Sequence, residues 1–281
     1  MEKKIDLHIH TNCSDGDNSI YEVIDMAINN KLDMISITDH DTVMAYSDEV
    51  FKYAYDRGIE LVTGVEISVK YNNETIHVLG YNIDVENENL NIKLEMIRNQ
   101  RHIYLRDVAD KFMTLGYIVN IDSLDKIEVV TKAHIANDII NNKNNSKLLI
   151  DKFGYIPDKG EFIESMMNEG CPCFVKKKSI SPVMAAEMIR EAGGVVFLAH
   201  PVAYKYEDGL TDEDILRIVR EMNADGIEAN YIYVDKFNNV IDDREHYQKL
   251  ARDNGLKIST GSDFHKIDGI HPEIGFVNYE M

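Results

Sequence analysis

Two imidazoles stand two positions apart in the segment Asp6-Leu7-His8-Ile9-His10, within an alternating run that reads as a strand. Residues i and i+2 of a strand leave from the same face, so His8 and His10 point together as a chelate for a divalent cation. Asp15 follows in Ser14-Asp15-Gly16, a turn that folds its carboxylate back over the strand end and adds a hard oxygen to the two nitrogens. Taken alone, the same pattern also fits two solvent-exposed strand histidines.

The pattern recurs along the chain. A second apolar run ends in Thr38-Asp39-His40-Asp41, with Asp39 and Asp41 placed to orient His40. Glu66 lies in Gly64-Val65-Glu66-Ile67-Ser68, His77 in Ile76-His77-Val78-Leu79-Gly80, and His200 closes Val195-Val196-Phe197-Leu198-Ala199. Asp263 and His265 again sit two apart beyond a final apolar run. Six histidines and three carboxylates at the ends of at least six strands exceed what one ion can use, so two or three ions are expected. Glu66, with two carboxylate oxygens, is suited to bridge them.

Such a cluster would supply positive field for an anionic substrate, and a metal-bridging hydroxide could attack phosphorus with no side-chain nucleophile. Gly-x-Ser-x-Gly, Gly-x-x-x-x-Gly-Lys-Ser/Thr and strand-linked Gly-x-Gly-x-x-Gly motifs are absent, so serine-hydrolase, nucleotide-motor and dinucleotide readings lose support.

The elements that must position these residues alternate. Strands are expected over 5–10 and 32–38, flanking a helix over 19–30 in which Ser19 and Glu22 form a capping box and Ile20, Val23, Ile24, Ala27 and Ile28 form the apolar face. Strands over 61–68 and 75–83 precede a helical stretch over 89–116. From about 97 to 172 the rhythm lapses into helices and polar connections such as Asn141-Asn142-Lys143-Asn144-Asn145. It returns with a helix opened by Ser181-Pro182, a strand over 195–199, a helix capped by Thr211, a strand over 226–230 and a strand over 257–260. The predicted architecture is an α/β, parallel (β/α) barrel from 1–96 and 173–281, with its chemistry at the C-terminal strand ends and a small helical subdomain inserted over 97–172.

The 281 residues, 44% hydrophobic and 28% charged, suit a globular protein with a substantial core. No signal-like or membrane-spanning run is present, so a cytoplasmic protein without membrane partners is expected. A net charge of −19 argues against general binding to duplex nucleic acid. Cys13, Cys171 and Cys173 form no disulfide framework or zinc set and read as small buried residues, while His102, His246 and His271 read as surface or packing groups.

In its His-x-His opening, Thr38-Asp39-His40-Asp41-Thr42-Val43, the Glu66, His77 and His200 segments and the closing Ser262-Asp263-Phe264-His265, the chain resembles the polymerase-and-histidinol-phosphatase (PHP) superfamily, in particular its TrpH-like branch. That resemblance covers nearly the whole chain. It implies a distorted (β/α)7 PHP barrel whose helical insertion covers the active site and supplies substrate contacts. It also implies three divalent ions, with manganese expected and iron or zinc as alternatives. One ion would be held by His8, His10, Glu66 and Asp263, a second by Glu66, His77 and His200, and a third by Asp15, His40 and His265.

The implied activity is a metal-dependent phosphoesterase acting on a phosphorylated small molecule, a nucleotide or a short oligonucleotide. The implied forms are a phosphatase for 3′,5′-bisphosphate nucleotides or nucleoside monophosphates, and a 5′-to-3′ exonuclease.

Thr131-Lys132-Ala133-His134 resembles an insertion motif that usually reads Arg-Pro-His, which makes Lys132 and His134 the candidate phosphate contacts, with a point charge in place of a bidentate fork. The run Lys176-Lys177-Lys178 reads equally as a solvated loop or an anion-guiding rim, and Lys266 stands where a glycine is usual. Competing readings are a histidinol-phosphate phosphatase, which the insertion fits poorly, and an amidohydrolase-type barrel, which would bridge its metals with a lysine. A third is a non-catalytic, metal-stabilised binding module.

Overall fold

The computed structural model describes residues 3–72, 74–127, 129–176, 178–235 and 237–276. Strand β1 (Ile5–Ile9) leads into helix α1 (Ile20–Asn29), which starts where Ser19 and Glu22 satisfy each other's backbone N–H groups. Ile20, Val23, Ile24 and Ala27 are buried along its inner face, each worth roughly 1.5–3 kcal/mol if fully removed from water, Ala27 less. Strand β2 (Met34–Ile37) precedes helix α2 (Asp48–Asp56), capped by Ser47. Helix α2 was not expected, and the reason is local: only Val50 and Ala54 are buried, an apolar stripe too narrow to show in the sequence.

Strands β3 (Glu60–Tyr71) and β4 (Glu74–Tyr81) correct the expectation of a wholly parallel sheet, because β4 runs antiparallel to both of its neighbours. A parallel return needs a crossover of about a dozen residues or more. Here β4 begins three positions after β3 ends, and Asn72 takes the left-handed conformation (φ +53°) that so tight a reversal requires.

The chain divides into two units, Met1–Glu95 with Ile180–Met281, and Met96–Ser179. Helix α3 (Glu88–Thr114) contributes to both, and the second unit adds α4 (Ile121–Leu124), α5 (Lys132–Asn141), α6 (Ser146–Phe153) and α7 (Lys159–Met166). This helical unit has its own core, in which Leu105, Val108, Phe112, Ile135, Ile139, Leu149 and Phe162 are fully buried and the Phe112 and Phe162 rings stack at 5.5 Å. Cys173 belongs to that core. Cys13 and Cys171 are only half-buried, contrary to the burial expected of all three cysteines.

The first unit resumes with α8 (Pro182–Glu191), β5 (Val195–Leu198), α9 (Pro201–Glu207), α10 (Asp212–Met222) and β6 (Gly226–Asn230). A two-stranded hairpin, β7 (Tyr233–Val234) with β8 (Val240–Ile241), then precedes α11 (Arg244–Asp253) and β9 (Lys257–Thr260). The main sheet has seven strands in the order β1-β2-β3-β4-β5-β6-β9, with every neighbouring pair parallel except those made by β4. Beyond β9 the chain returns to the opposite edge: Asp263 N–H donates to His8 O and His10 N–H to Phe264 O, both at 2.9 Å. The two edges of the sheet therefore meet where the candidate ligands lie. The buried Tyr46 hydroxyl pins β2 to β3, accepting the Ile37 and Gly64 N–H groups and donating to Ile37 O at 2.6 Å. Among the described residues no helix is long and apolar enough to cross a membrane.

Candidate metal centre

Strand alternation brings Asp6 and His8 to one face of β1, with His10 directly after its end, and all three are fully buried. Asp6 accepts the Ser262 and Gly275 N–H groups, tying β1 to the segment after β9, and burial pushes its carboxyl up to about 6 despite those donors. Above it the Nε2 atoms of His8 and His10 are 3.1 Å apart. The loop that follows is shaped by Asp39, whose carboxylate accepts Thr11 N–H (2.7 Å), Thr11 Oγ–H (2.6 Å) and Ser14 Oγ–H (2.6 Å). Asp39 thus organises the 11–16 loop, where the sequence suggested that it orients His40. A Cβ at Gly16 would collide with the His10 carbonyl, so only glycine lets the chain turn back this tightly.

Asp15 is returned by that loop to 3.3 Å from His265 Nε2 and 3.7 Å from both His10 Nδ1 and His40 Nε2. His265 Nδ1–H donates to the backbone oxygen of Asp263 two residues earlier (2.9 Å). With that carbonyl as partner Nδ1 carries the proton, and Nε2 is left to face Asp15. Asp263 itself, at φ +54°, lies with Oδ1 3.3 Å from His8 Nε2 and 3.2 Å from His10 Nε2.

Glu66, fully buried on β3, faces five of the six candidate histidines. Its Oε1 is 3.1 Å from His77 Nδ1 and 3.2 Å from His200 Nε2. Its Oε2 is 2.9 Å from His40 Nδ1, 3.3 Å from His10 Nε2 and 3.4 Å from His8 Nε2. The carboxylate thereby divides the imidazoles into two sets, one per oxygen. His77 is held on β4 by a Tyr204 hydroxyl that accepts its backbone N–H at 2.8 Å, and His200, at φ +23°, sits in a strained conformation just before Pro201 opens α9.

Three groups of candidate ligand atoms lie within 4.8 Å of one another: His8, His10, Glu66 and Asp263; His10, Asp15, His40 and His265; and His40, Glu66 and His77. His10, His40 and Glu66 each belong to two. His200 stands outside these three and joins through Glu66 and through His77 Nδ1 at 3.3 Å. The sharing of His10 and His40 differs from the one-ion assignments implied by resemblance for the second and third ions.

A cation fits this donor set. Asp15 Oδ1, His40 Nδ1, Glu66 Oε2 and His200 Nδ1 are buried without a hydrogen-bond partner, and an uncompensated buried polar atom costs about 1–3 kcal/mol. His40 Nδ1 and Glu66 Oε2 approach to 2.9 Å, but out of line for a hydrogen bond, as two donors of electron pairs to one ion would. The electrostatics agree. Burial opposes charge on His8 and His10, yet Glu228, Glu66 and Asp263 hold His8 well above the usual imidazole range, and Asp263 with Glu66 raise His10 to about 10. Burial likewise opposes charge on Asp15, Glu66 and Asp263, and the surrounding imidazoles outweigh it and hold all three below the usual carboxylate range. His77 moves the other way, its burial outweighing Glu66. The pocket is built for positive charge, whether delivered by protons or by metal.

Lys132 and His134 are in the first turn of α5 in the helical unit; Lys132 Nζ is 3.1 Å from Asn168 Oδ1, and His134 Nδ1 accepts the Thr131 N–H at 3.1 Å. Lys176 and Lys178 are exposed, and Lys177 lies outside the described residues. Lys266 is exposed, with Nζ 3.8 Å from Asp268. His102, His246 and His271 pair with Asp125, Asp212 and Asp268. Two supporting groups escaped the sequence reading: Tyr231, whose hydroxyl is 3.4 Å from Asp263 Oδ2, and Glu228. Glu228 had a visible signal, since a carboxylate between Ile227 and Ala229 in an apolar strand is expensive to bury without a partner.

Residues 6–168, more than half of the chain, match the family model of the PHP domain. The chain is 29% identical to a 5′-3′ exoribonuclease of Haemophilus influenzae over 270 residues, covering 94% of this chain and 91% of that one. It is 29% identical to a 3′,5′-nucleoside bisphosphate phosphatase of Chromobacterium violaceum over 265 residues, covering 93% and 87%. Among solved structures, one described as an amidohydrolase from Chromobacterium violaceum, with bound sulfate and no metal, superposes with a TM-score of 0.75 at 28% identity, covering 96% and 90%.

Proposed function

The chain belongs to the PHP domain family, and from that membership we propose that it is a metal-dependent phosphoesterase that hydrolyses phosphate esters of nucleotides. The observation that carries the reading is the division of the imidazoles between the two oxygens of one buried carboxylate, Glu66. A carboxylate so placed bridges cations.

The proposed site holds three divalent cations, manganese first with iron or zinc as alternatives. His8, His10, Glu66 and Asp263 would hold one, Glu66, His77 and His200 a second, and Asp15, His40 and His265 a third, with His10 and His40 near enough to contribute to two. Such cations supply Lewis acidity at a phosphoryl oxygen and a hydroxide nucleophile near neutral pH, so no side-chain nucleophile is needed. The protein's own part is positional. Asp39 fixes the 11–16 loop and with it Asp15, while the two edge hydrogen bonds hold Asp263 against His8. Burial of Glu66 and His10 keeps bulk water from competing for the donors.

The two curated relatives are named for a ribonuclease and a nucleotide phosphatase. We place this chain's substrate in the same range: 3′,5′-bisphosphate nucleotides, nucleoside monophosphates or the 5′ end of a short RNA. In this reading Lys132 and His134 contact the phosphate, and Lys132 provides a point charge without bidentate geometry.

The test is phosphate and nucleotide release by manganese-reconstituted protein from a panel of bisphosphate nucleotides, nucleoside monophosphates, histidinol phosphate and short 5′-phosphorylated RNA. Selective turnover of a nucleotide or an RNA is expected. Silence across the panel with metals bound would overturn the proposal.

A further inference from the structure

We propose that Glu228 is the positioning residue that locks the His8 ring and the His200 backbone into one piece; the inference rests on the reading of those histidines as metal ligands. Glu228 lies on β6 and its side chain is fully buried. One carboxylate makes three contacts: Oε1 is 3.0 Å and Oε2 3.1 Å from His8 Nδ1, and Oε2 accepts the His200 N–H at 2.8 Å. The residue thus joins the imidazole of a β1 ligand to the main chain of a ligand that follows β5. His8 donates through Nδ1 to Glu228, and Nε2 is directed to the side where His10 Nε2, Glu66 Oε2 and Asp263 Oδ1 stand within 3.1–3.4 Å. A carboxylate behind an imidazole fixes its tautomer and ring angle and raises its basicity as a ligand.

Two further features fit this role. His200 is held at φ +23°, a conformation that needs support from its surroundings, and the Glu228 bond to its N–H is such a support. Gly261, just past β9, is the residue that leaves room for the pair: a Cβ there would collide with both Glu228 Oε1 and His8 Cβ. Three strands and one glycine are therefore committed to a contact that is fully buried.

Glu228→Gln tests this, because an amide has only one acceptor oxygen for two donors. The buried His200 N–H cannot change its proton, so the amide oxygen stays on it. The amide NH2 then faces His8 Nδ1 and drives the ring proton to Nε2. The first readout is the Nδ1 proton of His8 in ring-15N-labelled protein loaded with Zn(II), expected far downfield in the native chain, where Nδ1–H donates to Glu228, and lost in the variant. The second is Mn(II) affinity by chelator competition, expected to weaken about 10–100-fold for the ions nearest His8 and His200.

Gly261→Ala, which displaces the same carboxylate, should reproduce both effects and serves if Glu228→Gln does not fold. A native-like His8 proton, or unchanged Mn(II) affinity in a folded variant, overturns the inference. Failure of the native chain itself to bind Mn(II) overturns instead the reading of the site, and the inference with it.

Discussion

Replacing Glu66 with glutamine keeps the volume of a fully buried side chain and removes only its charge and one acceptor. Oε1 stands 3.1 Å from His77 Nδ1 and Oε2 2.9 Å from His40 Nδ1, so the substitution acts on both sides of the cluster at once. At an effective dielectric of about 20, a unit charge pair about 3 Å apart is worth about 5 kcal/mol before desolvation is charged against it. Losing a partner behind a metal ligand costs about 10–100-fold in affinity, and losing the bridging charge itself should cost at least about 100-fold, or about 3 kcal/mol. The expected result is that at least two ions weaken together by that factor in an Mn(II) chelator competition, with bound metal counted by elemental analysis. Phosphate release should fall in parallel while the circular dichroism spectrum stays native. A folded Glu66→Gln chain that retains its full metal complement with unchanged affinity would refute the bridging argument.

His77 belongs to only one of the three ligand groups, so His77→Ala should release one ion and leave the others; simultaneous loss of all metal would contradict the grouping. Lys132→Ala or His134→Ala should leave metal content unchanged and lower kcat/KM on the true substrate about 10-fold or more through lost phosphate positioning. Unaltered kinetics would remove both residues from the substrate site. Asp208 supplies a pH test: burial first, then its hydrogen bond and repulsion with Glu74 and the charge of Glu207, raise its carboxyl from 3.8 to about 6. The folded chain then binds that proton more tightly than the unfolded chain, so stability falls as pH rises between these values. Asp208→Asn should raise the melting temperature above pH 6, by about 2 °C or less because solvent still reaches and screens the partly buried carboxyl, and give no gain near pH 4. The opposite order would reverse the assigned sign.

The parts of the site that were legible in the sequence were local. His8 and His10 announce a shared face because a strand repeats every two residues, and Glu66, His77 and His200 were found because each interrupts an apolar run. The division of Glu66's oxygens was not legible, since it depends on which ring nitrogen each histidine turns inward, and that is decided by partners distant in the chain. Glu228 was passed over for the same reason: its partners, His8 and His200, come from two other strands. The reversal of β4 had a signal in Asn72-Asn73 between two apolar runs. The surrounding strand-helix rhythm suggested parallel pairing and concealed it.

The joining of the sheet's edges has a consequence for the protein's birth on the ribosome. Asp263 and His265 are among the last parts of the described chain to emerge, and Asp263 must pair with His8, among the first. During synthesis the carboxylate of Glu66 and the imidazoles of β1 wait without the strand that completes their surroundings, so long-range closure comes after most of the chain is already made. A translation product cut short before residue 257 would lack β9 and both closing ligands, leaving β1 an unpaired edge and its buried polar face exposed. In a truncated copy the exposed polar face would be formed by the same residues proposed to hold the metals in the finished chain.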